Sequence, residues 1–305
     1  MAHLLPTRAP ALAHGVDGAS ARDIEVSGGD HLRAFYRSGR SGVLVTIFHG
    51  LSGDSGADYV RLAADVARRA GHSVLAANHR GCGAGRGLAR GLYHSGRADD
   101  VGAVLDWARA ELPERRRIAV GFSLSGNALL LLLAGAGGAR PHAAIAVNPP
   151  IDLRRCSQRI SSGFNRLYDR RFVRRCTQAL HERRRDGLLD PAFEIPRPRT
   201  LWEFDELVTA PLGGFADAED YYRRCSTRKL LEHVETPTVV ITAADDPFVA
   251  VRDFREARLS PAIHLHIERH GGHVGYLASH GTRLWPRKWL DGALAHYFRE
   301  LCAAE

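Results

Sequence analysis

Ile118-Ala119-Val120-Gly121-Phe122-Ser123-Leu124-Ser125-Gly126 is an apolar run that delivers a serine to the head of a second apolar stretch, residues 124–134. The first half has the unbroken, β-branched hydrophobicity of a strand covered on both faces, whereas the second has helical spacing. A strand that turns at once into a helix around a serine lifts the hydroxyl clear of both elements. The turn is tight, so small residues are needed two before and two after the serine. Gly121 meets the first condition and Ser125 the second, with Gly126 next to it. Ser125 is the poorer nucleophile, because its own flanking positions are Ser123 and Asn127. It need only be small, so alanine or glycine should be tolerated there.

Working outward, Val43–Phe48 and Ser73–Ala77 are runs of the same strand type, and Ala143–Val147 is another. Residues 58–70 and Ala98–Glu111 lie between them and carry apolar side chains at three- and four-residue spacing, as helices do. From about 150 to 235 the chain turns Arg-rich and helical in period, interrupted by Pro191, Pro196, Pro198 and Pro211. Strands then resume at 238–242 and 263–267, and a closing helix is expected over about 285–301. The pattern predicts a mostly parallel sheet with helices on both faces. Its core would be residues 23–149 and 236–305, with 150–235 inserted as a helical lid and 1–22 as a poorly ordered N-terminal extension.

The formal net charge of +8 raises the question of a nucleic-acid partner. The basic residues are nearly all arginine, Lys229 and Lys288 excepted, and they alternate with Asp and Glu without interleaved aromatics. No nucleic-acid site is expected. Cys82, Cys156, Cys176, Cys225 and Cys302 are odd in number and irregularly spaced, which suits neither a disulfide framework nor a zinc site. No apolar run approaches the ~20 residues of a membrane span, and the first residues lack the pattern of a secretory signal. A cytoplasmic location is the expectation.

A serine hydroxyl needs a base within hydrogen-bond reach, and the oxyanion formed on attack needs waiting N–H donors. One donor is the residue after the serine, Leu124; the other belongs to the loop after an earlier strand. His49-Gly50-Leu51-Ser52-Gly53 follows Val43–Phe48, which makes Leu51 the second candidate. An acid and a histidine should come later in the chain. Ala243-Ala244-Asp245-Asp246-Pro247 closes the strand at 238–242, and His270-Gly271-Gly272-His273-Val274-Gly275 follows the next one. Imidazole titrates near working pH, and a carboxylate fixes its tautomer. His270 and His273 do not suggest a metal pair, because a glycine loop does not hold two imidazoles as a helix does. No metal and no cofactor are expected. His49, His79 and His94 are expected to bond backbone groups near the site.

The chain resembles the YheT-like branch of the α/β-hydrolase superfamily from about residue 30 onward. The likeness rests on His49-Gly50-Leu51, Asn78-His79-Arg80-Gly81-Cys82, Tyr93-His94-Ser95-Gly96, Gly121-Phe122-Ser123-Leu124, Phe204-Asp205-Glu206-Leu207-Val208-Thr209-Ala210-Pro211, Asp220-Tyr221-Tyr222-Arg223-Arg224, Ala244-Asp245-Asp246-Pro247-Phe248 and His270-Gly271-Gly272-His273-Val274-Gly275. It implies the α/β-hydrolase fold and an esterase or lipase-like serine hydrolase with Ser123 as nucleophile and His273 as base. The acid falls in the Asp245-Asp246 pair, and the position between Ala243 and Pro247 selects Asp246 by resemblance. Ser125 departs from the family's usual glycine. An acyltransferase or thioesterase would use the same residues, whereas a binding protein that kept the fold would need a broken triad. The expected partner is a small ester or lipid-like molecule, with peripheral membrane contact through the Arg-rich segment a third possibility; oligomeric state cannot be read.

Overall fold

The computed structural model describes residues 18–282 and 285–303. The chain opens with a hairpin, β1 (Ser20–Val26) and β2 (Asp30–Arg37), and then alternates: β3 (Val43–Phe48), α1 (Asp58–Arg69), β4 (Ser73–Ala77), α2 (Ala98–Glu111), β5 (Arg116–Phe122), α3 (Leu124–Leu131) and β6 (Ala143–Val147). Helices α4 (Leu153–Ile160), α5 (Arg166–Arg185), α6 (Leu201–Phe204), α7 (Ala210–Gly213) and α8 (Ala218–Cys225) fill the interval before β7 (Thr238–Ala243). Then come α9 (Val251–Arg255), β8 (Ile263–Glu268), the pair β9 (Leu277–Thr282) and β10 (Trp285–Lys288), and α10 (Trp289–Ala303).

Eight strands form one sheet in the order β1-β2-β4-β3-β5-β6-β7-β8. β1 and β2 run antiparallel, as do β2 and β4, and every later pairing is parallel. β3 and β6 are buried throughout and β5 from Ile118 on, which is why they read as continuous apolar runs. Alternation along β3 sends Leu44 and Phe48 to one face with Val104, Leu105 and Leu129 of α2 and α3. Val45 and Ile47 go to the other face with Val60 and Ala63 of α1 and Leu294 and Phe298 of α10. Each Val, Leu, Ile or Phe side chain among these contributes about 1.5–3 kcal/mol of burial.

Two expectations need correction. β1 starts at Ser20, inside the segment 1–22 assigned to an extension, because Ser20 through Val26 pair with Tyr36 through Asp30. Residues 1–17 lie outside the described residues. The closing helix starts at Trp289, not near 285: Trp285 precedes a proline, which biases it toward extended backbone, and it pairs with Thr282. Among the described residues no helix is long and apolar enough to cross a membrane.

Candidate active site

The parallel strands end on one edge of the sheet, where α/β folds place their ligand sites. Ser123 stands between β5 and α3 with φ 51° and ψ −118°, a left-handed conformation that costs a non-glycine residue energy. Surrounding contacts hold it there. Its N–H donates to Val147 O at 2.8 Å, so the neighbouring strand β6 pins the turn. A Cβ on Gly121 would lie 2.7 Å from Ser125 O and 2.9 Å from Gly126 Cα, and one on Gly126 would lie 3.0 Å from Gly121 O. The turn therefore closes through Gly121 and Gly126, and Ser125 sends its side chain elsewhere.

Ser123 Oγ lies 2.8 Å from His273 Nε2, and His273 Nδ1 lies 2.9 Å from Asp246 Oδ2. A carboxylate only accepts, so Nδ1 carries the proton and Nε2 presents its lone pair to the serine O–H. The Asp246 side chain is fully buried and fully occupied. Oδ1 accepts from Phe248 N–H at 2.8 Å and Val249 N–H at 3.0 Å, and Oδ2 also accepts from Asn148 Nδ2 at 2.6 Å. Asp245 faces the other way, as adjacent residues on an extended chain do. Its Oδ1 accepts the N–H groups of Gly271 and Gly272, each at 2.8 Å. Burial works against its charge, but those two donors outweigh it and hold the carboxyl below its ordinary value.

Leu124 is the first residue of α3, so its N–H belongs to the first-turn donors without an intrahelical acceptor. Leu51 follows Gly50, where a Cβ would lie 3.1 Å from Ser123 Cβ and 3.2 Å from Phe122 O. That contact brings the loop 49–53 against the serine. Tyr59 Oη accepts Gly50 N–H at 3.0 Å and fixes the loop from α1.

Two features escaped sequence analysis. Asn148 ends β6 at φ 48°, a region where asparagine is enriched. Its N–H donates to Ile241 O at 2.7 Å, its Nδ2 reaches Asp246 and Gly272 O, and its Oδ1 accepts Val274 N–H at 3.3 Å. One side chain thus ties the acid to the loop carrying His273. An asparagine after a buried strand and before Pro149-Pro150 was its only signal.

The second feature is a buried cluster behind the elbow. Ser125 Oγ donates to His49 O and lies 2.6 Å from His79 Nε2 and 2.9 Å from Tyr93 Oη. His49 Nδ1 donates to Gly50 O at 2.8 Å while its Nε2 accepts His79 N–H at 3.1 Å. The rings of His79 and Tyr93 stack at 4.0 Å. Burial pushes His49 down to about 4 and His79 well below the usual imidazole range, so both stay neutral. Small size alone is therefore not what Ser125 supplies: it joins the elbow to the His49-Gly50 backbone. His94 Nδ1 accepts Gly96 N–H at 3.1 Å.

The helical segment between β6 and β7 reaches this site from above the strand ends. Arg159 Nη2 donates to Asp246 O at 3.1 Å, and Asn165 Nδ2 donates to Pro247 O at 2.8 Å. Asn127 of α3 donates to Cys225 O at 2.7 Å and accepts Thr227 Oγ1–H at 2.7 Å. Among the described residues no group of three or more His, Cys, Asp and Glu side chains is gathered for a metal ion.

The α/β hydrolase fold family matches residues 43–279. Escherichia coli YheT, whose name gives it as a candidate esterase, is 34% identical over 82% of this chain and 74% of its own length. A monoacylglycerol lipase of Saccharomyces cerevisiae is 28% identical over 79% of this chain, which spans only 56% of that protein. An esterase structure from Pyrococcus furiosus superposes with a TM-score of 0.63 at 16% identity, covering 97% of this chain and 98% of that one. That likeness is one of fold. With its strand order, its serine elbow, the family match and the YheT relative all in agreement, the chain belongs to the α/β-hydrolase family.

Proposed function

We propose that this α/β hydrolase cleaves carboxylic esters by acyl transfer to Ser123, with His273 as general base and Asp246 as its orienting acid. The observation that carries this is the continuous chain of hydrogen bonds from Ser123 Oγ through His273 to Asp246. Ser123 Oγ attacks the ester carbonyl carbon while its proton passes to His273 Nε2. The oxyanion is received by the N–H groups of Leu124 and Leu51. The imidazolium then protonates the departing alkoxide, and a water that gives its proton to His273 releases the acid from the serine. Asp246 holds the imidazolium by charge, and its other donors keep it from turning away. The names of the yeast lipase and of YheT support a substrate that is a small or lipid-like ester. Residues 150–235 act as a lid over the serine, anchored through Arg159, Asn165 and Asn127. A cytoplasmic place of work fits the same proposal.

The test is hydrolysis of p-nitrophenyl esters of graded acyl length, with and without an alcohol acceptor, alongside labelling by a fluorophosphonate probe. Turnover and labelling are expected, and Ser123→Ala should lose both, by on the order of 10⁶ in turnover, while melting like the parent. A Ser123→Ala protein that still labels would overturn the assignment.

A further inference from the structure

The Arg-rich segment is not uniformly solvated. Phe164 is 94% exposed, Leu167 69% and Tyr168 37%, and they lie together at the start of α5. The helix buries Asp169, Val173, Leu180 and Arg183 on its inner face. At 100° per residue the opposite face carries Leu167, Arg171 and Arg174, with Arg170 at its flank, all exposed. Several other arginines find carboxylates: Arg86 pairs with Asp186, Arg154 with Glu219, Arg155 with Asp253 and Arg224 with Asp220. Among the described residues no carboxylate comes within ion-pairing distance of Arg166, Arg170, Arg171 or Arg174. These four charges stand uncompensated around two hydrocarbon side chains in water.

We infer that the outer face of α5, led by Phe164 and Leu167 and flanked by Arg166, Arg170, Arg171 and Arg174, docks on an anionic lipid surface. Apolar side chains that enter the acyl boundary, ringed by cations that meet the head groups, are the two components of interfacial binding. Neither would suffice alone: two apolar residues anchor weakly, and four charges without an anchor wash off with salt. The position fits a lipid-like substrate. Tyr168 packs edge-on against Phe248 at 5.1 Å, and Phe248 against His273 at 4.9 Å, so the docked face lies two ring contacts from the base. The purpose of docking, bringing lipid esters to Ser123, rests on the ester-hydrolase proposal above; the docking itself does not.

The experiment is flotation of the purified full chain with vesicles of equimolar phosphatidylcholine and phosphatidylglycerol, and with vesicles of phosphatidylcholine alone. The protein should float with the first and not the second, and added salt should release it. Phe164→Ser with Leu167→Ser, and separately Arg171→Ala with Arg174→Ala, should each lower partitioning, the second by about 30-fold at low salt. Both variants should keep the parent's melting temperature and its rate on a water-soluble short-chain p-nitrophenyl ester. If the parent stays unbound, or the Phe164/Leu167 variant floats like the parent, the inference falls. It also falls if the parent is a dimer that this variant dissociates without any vesicle binding, since the face then joins two copies of the chain. Failure of every ester assay would remove the substrate proposal and leave the flotation result standing.

Discussion

The ends of β5, β6 and β7 and the helical segment that follows β6 treat their polar groups in opposite ways. At the strand ends Asp246 and Ser125 are answered from within: Asp246 is buried with four donors, and Ser125 Oγ sits among three partners. In the segment, the arginines of the outer α5 face are left to whatever lies outside the molecule, and Phe164 is almost wholly in water. Charge that develops during a reaction is best met by dipoles that need not reorganise, which is what a saturated, buried site supplies. A surface awaiting a partner must instead keep its groups unspent. On the ester-hydrolase proposal, the contrast separates the residues that would do the chemistry from those that would govern access to it.

The sharpest way to test that division is at the two carboxylates. Asp246→Asn should lower kcat by about 10⁴, because the amide cannot hold the tautomer that leaves Nε2 free. Asp245→Asn loses a charge that two glycine N–H groups face, so it should cost mainly stability, read as a lower melting temperature. The opposite ranking would move the acid one residue back. Asn148→Ala comes next: it frees the loop carrying His273, and small misplacement near the reacting atoms should cost on the order of 10² in kcat with KM little changed. Paired alanines at Arg159 and Asn165 release the segment from the Asp246 turn, with an expected kcat loss of about 10-fold for two hydrogen bonds. If that double variant fell as far as Asp246→Asn, the segment would belong to the catalytic scaffold and the division would fail.

Smaller effects probe stability. Ser125→Ala should cost about 1–3 kcal/mol in urea unfolding, since it strands the buried groups of His79, Tyr93 and His49. Glycine there should behave like alanine, and full tolerance would return Ser125 to a purely steric role. Burial pushes Asp205 up to about 6 against the hydrogen bonds of Tyr222 and Thr209, with the charge of Asp169 adding to the rise. A carboxyl that holds its proton more tightly folded than unfolded makes stability fall as pH rises from about 4 to about 6. Asp205→Asn should remove that component, flattening the decline by roughly 1–2 kcal/mol relative to the parent in the same window.

How much could be read in advance follows from how local each signal is. β3, β4 and β6 declared themselves because burial on both faces leaves little room for polar residues in a short run. The hairpin of β1 and β2 did not, since an edge strand such as Ser20–Val26 keeps four of its seven residues half or fully exposed before its first buried one and carries Arg22, Asp23 and Glu25. Ser123, His273 and the acidic pair stood out because each sits in a loop directly after a strand. Their mutual distances were not legible, and neither was the choice of carboxylate without the resemblance. The partners of Ser125 come from residues 49, 79 and 93, and those of Asn148 from residues 246, 272 and 274. No spacing in one dimension encodes such meetings.

The order of strands has a consequence for the chain as it is made. From β5 onward the sheet grows through β6, β7 and β8 on one side only, each new strand joining the last. Synthesis from the N-terminus therefore lays down the serine turn long before β7 and β8 bring Asp246 and His273. During that interval the free edge of β6 waits while some ninety residues, helical in large part, emerge, as the gap between Val147 and Thr238 requires. An unpaired, wholly apolar parallel edge is the kind of surface that other chains adhere to. The same delay leaves Ser123 without an imidazole beside it until β8 has been made and His273 has followed it, when β9, β10 and α10 are the described elements still to come.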